Sequence, residues 1–285
     1  MKAVLTAGVV FVLALTGCGS SDDGGGLEGP DIGKAKSFEI AGLDQTGPIQ
    51  AGKPVDLKFH IEQPEGGALT KFKTGSGPHT GVHLIMVRKD LSAIIHRHPP
   101  VGAGGALSQT VTFPSGGQWH VVTDVYPDLG ENTLQNFQLT STLDVEGSGS
   151  ANAALPPFTS EVSAGGNRFV MKRPTGLKAL KPQFLDIDVR DANGRPATFE
   201  QYYGALAHAI FFRAGSLAYF HTHVCGAGAQ ACAASIGGSS VTGKSTTPGK
   251  LKVGMLLPSP GTWKLFLQAK INGTVVTAPY TLKVS

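Results

Sequence analysis

The chain has 285 residues, 39 of them glycine and 18 proline, with only 15% charged. That balance favours short strands and many turns over helices, in one or two domains with ordinary apolar cores. The net charge of +4 is not gathered into a Lys/Arg run, which argues against a nucleic-acid partner.

Residues 1–17 read as a signal peptide. Met1-Lys2 supplies a small positive start, and Ala3 to Gly17 is apolar but too short to span a bilayer. The stretch ends in Leu15-Thr16-Gly17-Cys18, which resembles a bacterial lipobox. That resemblance implies cleavage before Cys18, lipidation of its sulfur, and a membrane partner reached through the lipid. Residues 18–35, rich in Gly, Ser and Asp, form a flexible tether. The expected location is extracytoplasmic, lipid-anchored to the bacterial cell membrane.

A first domain is expected over 36–147. Strands are read at Ser37–Ile40, Lys53–Ile61, Val82–Val87, Ser92–His98, Leu107–Phe113, Trp119–Val125 and Phe137–Val145, with loops at Gln63–Pro78 and Val101–Ala106. Residues 148–160 are a linker. A second domain follows over 161–285, with strands at Lys181–Val189, Leu206–Phe212, Ser216–His221, Leu251–Leu257, Trp263–Lys270 and Val275–Val284. Asp191-Ala192-Asn193-Gly194 is a turn, and Gly226–Pro248 a long polar loop. Short strands and no convincing helix predict an all-β chain of two tandem immunoglobulin-like antiparallel β-sandwiches.

The two domains are copies. His83, Arg88, His96 and His98 recur 125 positions later as His208, Arg213, His221 and His223. Pro114, Gly117 and Trp119 recur 144 positions later as Pro258, Gly261 and Trp263. Rare residues at fixed offsets mark tandem duplication, with 19 extra residues in the second copy between the two matches. Each histidine set lies on a hairpin. A two-residue turn at Lys89-Asp90 puts His83 opposite His96, with His98 further along the same face, and a turn at Ala214-Gly215 does the same for His208, His221 and His223. Three imidazoles then converge on one face of each sandwich.

With Cys18 lipidated, Cys225 and Cys232 remain. In an oxidising compartment they are expected to form a disulfide closing the inserted loop, with thiolate metal ligation as the alternative.

His83-Leu84, Asp90-Leu91, His96, His98-Pro99, Phe113, Gly117, Trp119 and Asp124 together resemble the pattern of secreted bacterial YtkA/FixH-like immunoglobulin-like domains. The second copy departs from it at Gly215-Ser216, Val224 and Gln268. The resemblance covers Pro78–Pro127, and more loosely Tyr203–Gln268. It implies a cell-envelope sandwich, in some members linked to copper or other heavy metals, and brings no catalytic activity.

Two functions follow. The first is a non-enzymatic envelope lipoprotein binding copper or zinc at His83, His96, His98 and Asp124, with a weaker second set at His208, His221 and His223, where Gln268 replaces the acid. His79 and His120 are further possible ligands. The competing reading of those histidines is a structural hydrogen-bonded network. The second function is a surface interaction module presenting the Gly226–Pro248 loop to an unidentified protein. Blue copper is disfavoured by the ligand types, and a methionine-rich copper(I) carrier by having only Met86, Met171 and Met255 beyond the signal peptide. No GxSxG, phosphate loop or HExxH points to an enzyme. Trp119 and Trp263 read as core anchors.

Overall fold

The structure is a computed structural model, and it describes residues 37–43, 47–73, 81–128, 130, 136–149, 154–227, 235–236 and 239–285. The predicted signal peptide, Cys18, His79 and Cys232 lie outside the described residues.

The first copy contains β1 (Glu39–Ala41), β2 (Ile49–Gln50), β3 (Pro54–Glu62), β4 (Val82–Arg88), β5 (Ile94–Arg97), β6 (Leu107–Thr112), β7 (Gly117–Val125) and β8 (Phe137–Glu146). They form two sheets, ordered β1-β3-β6 and β2-β8-β7-β4-β5. β3 alternates buried Leu57, Phe59 and Ile61 with polar neighbours, as a strand with one face on a core must. Between the sheets pack Leu57, Phe59, Leu84, Met86, Phe113, Trp119 and Val121.

The second copy contains β9 (Glu161–Ala164), β10 (Asn167–Met171), β11 (Gln183–Arg190), β12 (Ala207–Arg213), β13 (Tyr219–Gly226), β14 (Ser235–Ile236), β15 (Ser239–Ser240), β16 (Gly243–Ser245), β17 (Lys250–Met255), β18 (Gly261–Ile271) and β19 (Thr274–Val284). The chain is all-β, as expected. The hairpin β9–β10 turns at Gly165-Gly166, a Gly-Gly signal within a stretch for which the sequence reading assigned no strand.

The two layers of this copy join at one edge. β16 pairs in parallel with β13 and antiparallel with β17, making one sheet ordered β19-β18-β12-β13-β16-β17-β11-β10-β9. The stretch expected to be a long polar loop thus supplies β14, β15 and β16, and β16 is the bridging strand. Gly243 and Gly254 permit the close approach: a Cβ on Gly254 would land on the Val241 carbonyl, and one on Gly243 on the Lys252 carbonyl.

The repeated residues repeat their jobs. Trp119 Nε1 donates to the Ser115 carbonyl at 3.1 Å, and Trp263 Nε1 to the Ser259 carbonyl at 3.0 Å; both indoles are fully buried. Arg88 Nε donates to the Gly116 carbonyl at 2.9 Å, and Arg213 Nε to the Pro260 carbonyl at 2.8 Å. Each guanidinium lies where a side chain on Gly117 (φ 118°) or Gly261 (φ 139°) would project.

The hairpin registers differ from the expectation. Ile85 pairs with His96 and Arg88 N donates to the Ala93 carbonyl, so four residues make the first turn and His83 faces His98 rather than His96. The second hairpin pairs His208 with His223 and closes with Arg213 N donating to the Ala218 carbonyl. Local chemistry selects the longer turn. The Asp90 carboxylate accepts from the Ser92 backbone N–H and pairs with Arg88, while Leu91 and Leu217 take positive φ. The shift is two residues, so every side chain keeps its predicted face.

β4 (VHLIMVR) is buried at every position and β12 (AHAIFFR) at all but Arg213. Their odd partners explain why. One face of each strand lines its own core; the other meets the opposite copy. Ile85, Val87, Leu91 and Val122 pack there against Ile210, Phe212 and Phe266 in a separate apolar cluster. Residues 36–285 accordingly make one compact unit.

Candidate metal centre between the two copies

The histidines occupy that same inter-copy face, beyond the apolar cluster. On β4, His83 continues the row of Ile85 and Val87. On β12, His208 continues the row of Ile210 and Phe212, so strand periodicity alone sends both imidazoles into the seam. The two sets expected on separate sandwiches meet in one cluster. His83, His96, His208, His221 and His223 are buried and His98 half-buried.

The contacts are reciprocal. His96 lies 4.9 Å from His208 between ring centroids, and the equivalent pair, His221 and His83, 5.3 Å apart. His98 lies 6.2 Å from His208, and His223 6.0 Å from His83. His96 and His221, equivalent to each other, face at 5.3 Å. Residue i touching j, and j touching i, is the signature of an approximate twofold axis, here passing near His96 and His221.

β7 lies beside β4 and places Asp124 opposite His83, with His83 Nδ1 3.6 Å from Asp124 Oδ2. Asp124 also accepts from Asn136 Nδ2 at 2.6 Å and Tyr126 Oη at 3.4 Å. β18 places Gln268 opposite His208 in the same way. Gln268 Oε1 accepts from His96 Nδ1 across the seam at 3.1 Å, and its Nε2 donates to Thr277 Oγ1 at 3.2 Å.

These acceptors fix tautomers. An amide oxygen only accepts, so His96 carries its proton on Nδ1 and its Nε2 is a bare base, 3.1 Å from His98 Nε2. His208 Nε2 donates to the Tyr202 carbonyl at 2.7 Å, which leaves Nδ1 bare, 3.2 Å from His221 Nε2. Anchoring one ring nitrogen on an acceptor while the other points inward is how metal-binding imidazoles are oriented.

Burial, first, and the neighbouring imidazoles, second, hold the bases neutral. His96 and His221 are pushed well below the usual histidine range, and His98 to about 2. His208 falls to about 3, with burial outweighing its bond to Tyr202. Burial also pushes the phenols of Tyr219 and Tyr126 upward, with Asp124 adding to both. The Tyr219 hydroxyl is buried and makes no hydrogen bond among the described residues. Tyr203, at φ 48°, stacks on His98 at 3.7 Å and 6°, closing the half-buried side of the cluster.

Two sets bring three ligand atoms within 4.8 Å of one another: His96, His208 and His221; and His83, Asp124 and His221. Both draw on both copies. The residues fit a metal: their ligand atoms converge, one carboxylate joins them, and a buried hydroxyl beside them has no hydrogen-bond partner among the described residues.

Of the other predicted residues, His120 shares the seam face but lies against Phe212 at 6.4 Å, outside the cluster. Cys225 is buried beside Ala205. The tyrosines at 126, 202, 203 and 219 were not singled out from the sequence. Tyr202-Tyr203-Gly204, an aromatic turn leading into the His208 strand, was the available signal.

No curated protein matches the chain. Solved structures similar to it include a Salmonella alpha-2-macroglobulin mutant (13% identity, 88% of this chain, 15% of that one, TM-score 0.26). Others are a tetra-tandem repeat from the extending region of a large adhesion protein (10%, 88%, 50%, 0.27) and fibronectin(III)-like modules of Clostridium thermocellum CbhA (9%, 87%, 93%, 0.22). The chain spans well under two thirds of the first two, and the fold is read from its own strands, not from these likenesses. A family model described as "Domain of unknown function (DUF8832)" matches twice, at residues 38–142 and 161–285. The chain therefore belongs to that family and carries two tandem copies of its domain.

Proposed function

We propose that this is an envelope lipoprotein, without enzymatic activity, that holds a copper or zinc ion between its two sandwiches. The observation that carries the reading is the convergence of six buried or half-buried imidazoles and Asp124 from both copies, with His96 and His208 oriented by outer acceptors. Imidazole suits both metals, and ligands that are already deprotonated bind without first expelling protons. The lipobox-like Leu15–Cys18 supports lipid anchoring on Cys18, and the YtkA/FixH-like likeness supports an envelope setting with metal handling. A Cys225–Cys232 disulfide belongs to the same reading: an oxidising compartment permits it.

The test is metal content of the purified chain, with calorimetric titration of copper(II) and zinc, beside a His83/His96/His98 triple alanine variant. Stoichiometric binding lost in the variant supports the reading; no binding tighter than about micromolar rejects it. For the anchor, Cys18→Ser should move the protein from the membrane to the soluble fraction.

A second reading has its own observation. His98 stacks on Tyr203 and lies 4.3 Å from His83 between centroids, and ring-to-ring hydrogen bonds tie the cluster together. On that reading the histidines are structural and the tethered sandwiches display a surface to a protein partner.

A further inference from the structure

Resting on the metal-binding reading, we infer that the seam offers two mutually exclusive metal positions of different valence preference: copper(I) at His96, His208 and His221, and a divalent ion at His83, His221 and Asp124.

The two three-ligand sets share His221 and differ in charge. The first is three neutral imidazoles. The second is two neutral imidazoles and a carboxylate. All five residues are buried, so the net charge left in the seam keeps a divalent ion out of the first set, while ligand type keeps copper(I), a soft ion with little affinity for carboxylate oxygen, out of the second. Copper(I) in the all-imidazole set leaves one net positive charge. A divalent ion with the carboxylate set also leaves one. Exchanging the ions would leave two positive charges in the first set and none in the second. Because the desolvation cost grows with the square of the charge, the first set rejects divalent ions most strongly.

Exclusivity follows from His221. A neutral imidazole has one bare nitrogen, so it serves one ion at a time. Serving both would require its deprotonation, together with two cations over a single carboxylate in a buried site. The approximate twofold axis explains why the sets are unequal. Rotation carries His83, Asp124 and His221 onto His208, Gln268 and His96, and there the amide of Gln268 has no charge to give. Gln268 instead donates to Thr277 and accepts from His96, presenting the His96 base to the all-imidazole set.

The experiment titrates the full chain with copper(I), anaerobically against a chromophoric chelator, and separately with zinc. Asp124→Asn should weaken zinc by at least about tenfold and leave copper(I) affinity where it is. His96→Ala should do the reverse, and His221→Ala should lose both. Each of the first two variants keeps one ion, which certifies its fold. Copper(I)-loaded protein should take up zinc only as copper leaves. Equal weakening of both ions by Asp124→Asn and His96→Ala, or simultaneous binding of one of each, overturns the inference while leaving the metal-binding reading intact. Wild-type protein that binds neither ion overturns both.

Discussion

Four buried or half-buried histidines make stability pH-dependent in a definite direction. His96, His98, His208 and His221 titrate in the folded chain far below 6.5, chiefly because burial penalises their charged forms. Above pH 6.5 neither folded nor unfolded chain protonates them, and they exert no pull. Below it the unfolded chain takes up protons that the folded seam refuses, so stability falls as pH falls, until the folded values of about 2 and 3 are approached. Each such group contributes about 1.4 kcal/mol per pH unit within that window. Denaturant midpoints of the metal-free chain should therefore drop steeply between pH 6.5 and 4, less so for His98→Ala. A flat profile would mean that the imidazoles protonate in place. The individual ligands were visible in the sequence as repeated histidines, and Asp124 as their acidic neighbour. Their orientation was not, because it depends on Gln268 reaching His96 from the opposite copy and on the Tyr202 carbonyl, in the turn before the His208 strand, holding His208.

Among the elements, the hairpins were legible as hairpins but not in register. Turn length is set by side-chain chemistry at Asp90, Ser92 and Leu91, which strand periodicity does not contain. A two-residue error preserved the faces, which is why the predicted imidazole cluster survived it. The insertion shows the opposite case. Gly226–Pro248 is polar enough to read as a loop, yet β16 within it closes the edge between two layers. Backbone contact there leaves no room for a methyl group, and Gly254→Ala should cost about 2 kcal/mol or more in chemical denaturation. A similar loss is expected for Gly261→Ala, whose Cβ would meet the Arg213 guanidinium at 2.7 Å from a backbone of positive φ. Loss of under about half a kcal/mol, the usual range of a surface change, would mean the strand edge yields easily.

For the whole molecule, duplication was plain in the fixed offsets, while docking of the copies was written only as an excess of apolar residues. A strand with one face in water alternates; VHLIMV and AHAIFF do not, and such continuous runs mark burial on both sides. Because each three-ligand set draws on both copies, docking and metal binding share one equilibrium. Phe212→Ala removes one of the two buried phenylalanines of the apolar cluster at a cost of about 3–5 kcal/mol. It should split a single calorimetric transition into two and weaken metal binding in proportion. A variant that still melts once with unchanged affinity would locate the coupling elsewhere.

Asp124 and Gln268 hold equivalent places in strands that face one another. Two separate chains of a single-copy protein, meeting on the same axis, would have to carry the same residue at both. Fusion into one polypeptide lifts that constraint: each half can drift without altering its twin, and a seam that began with two identical ends acquires a head and a tail.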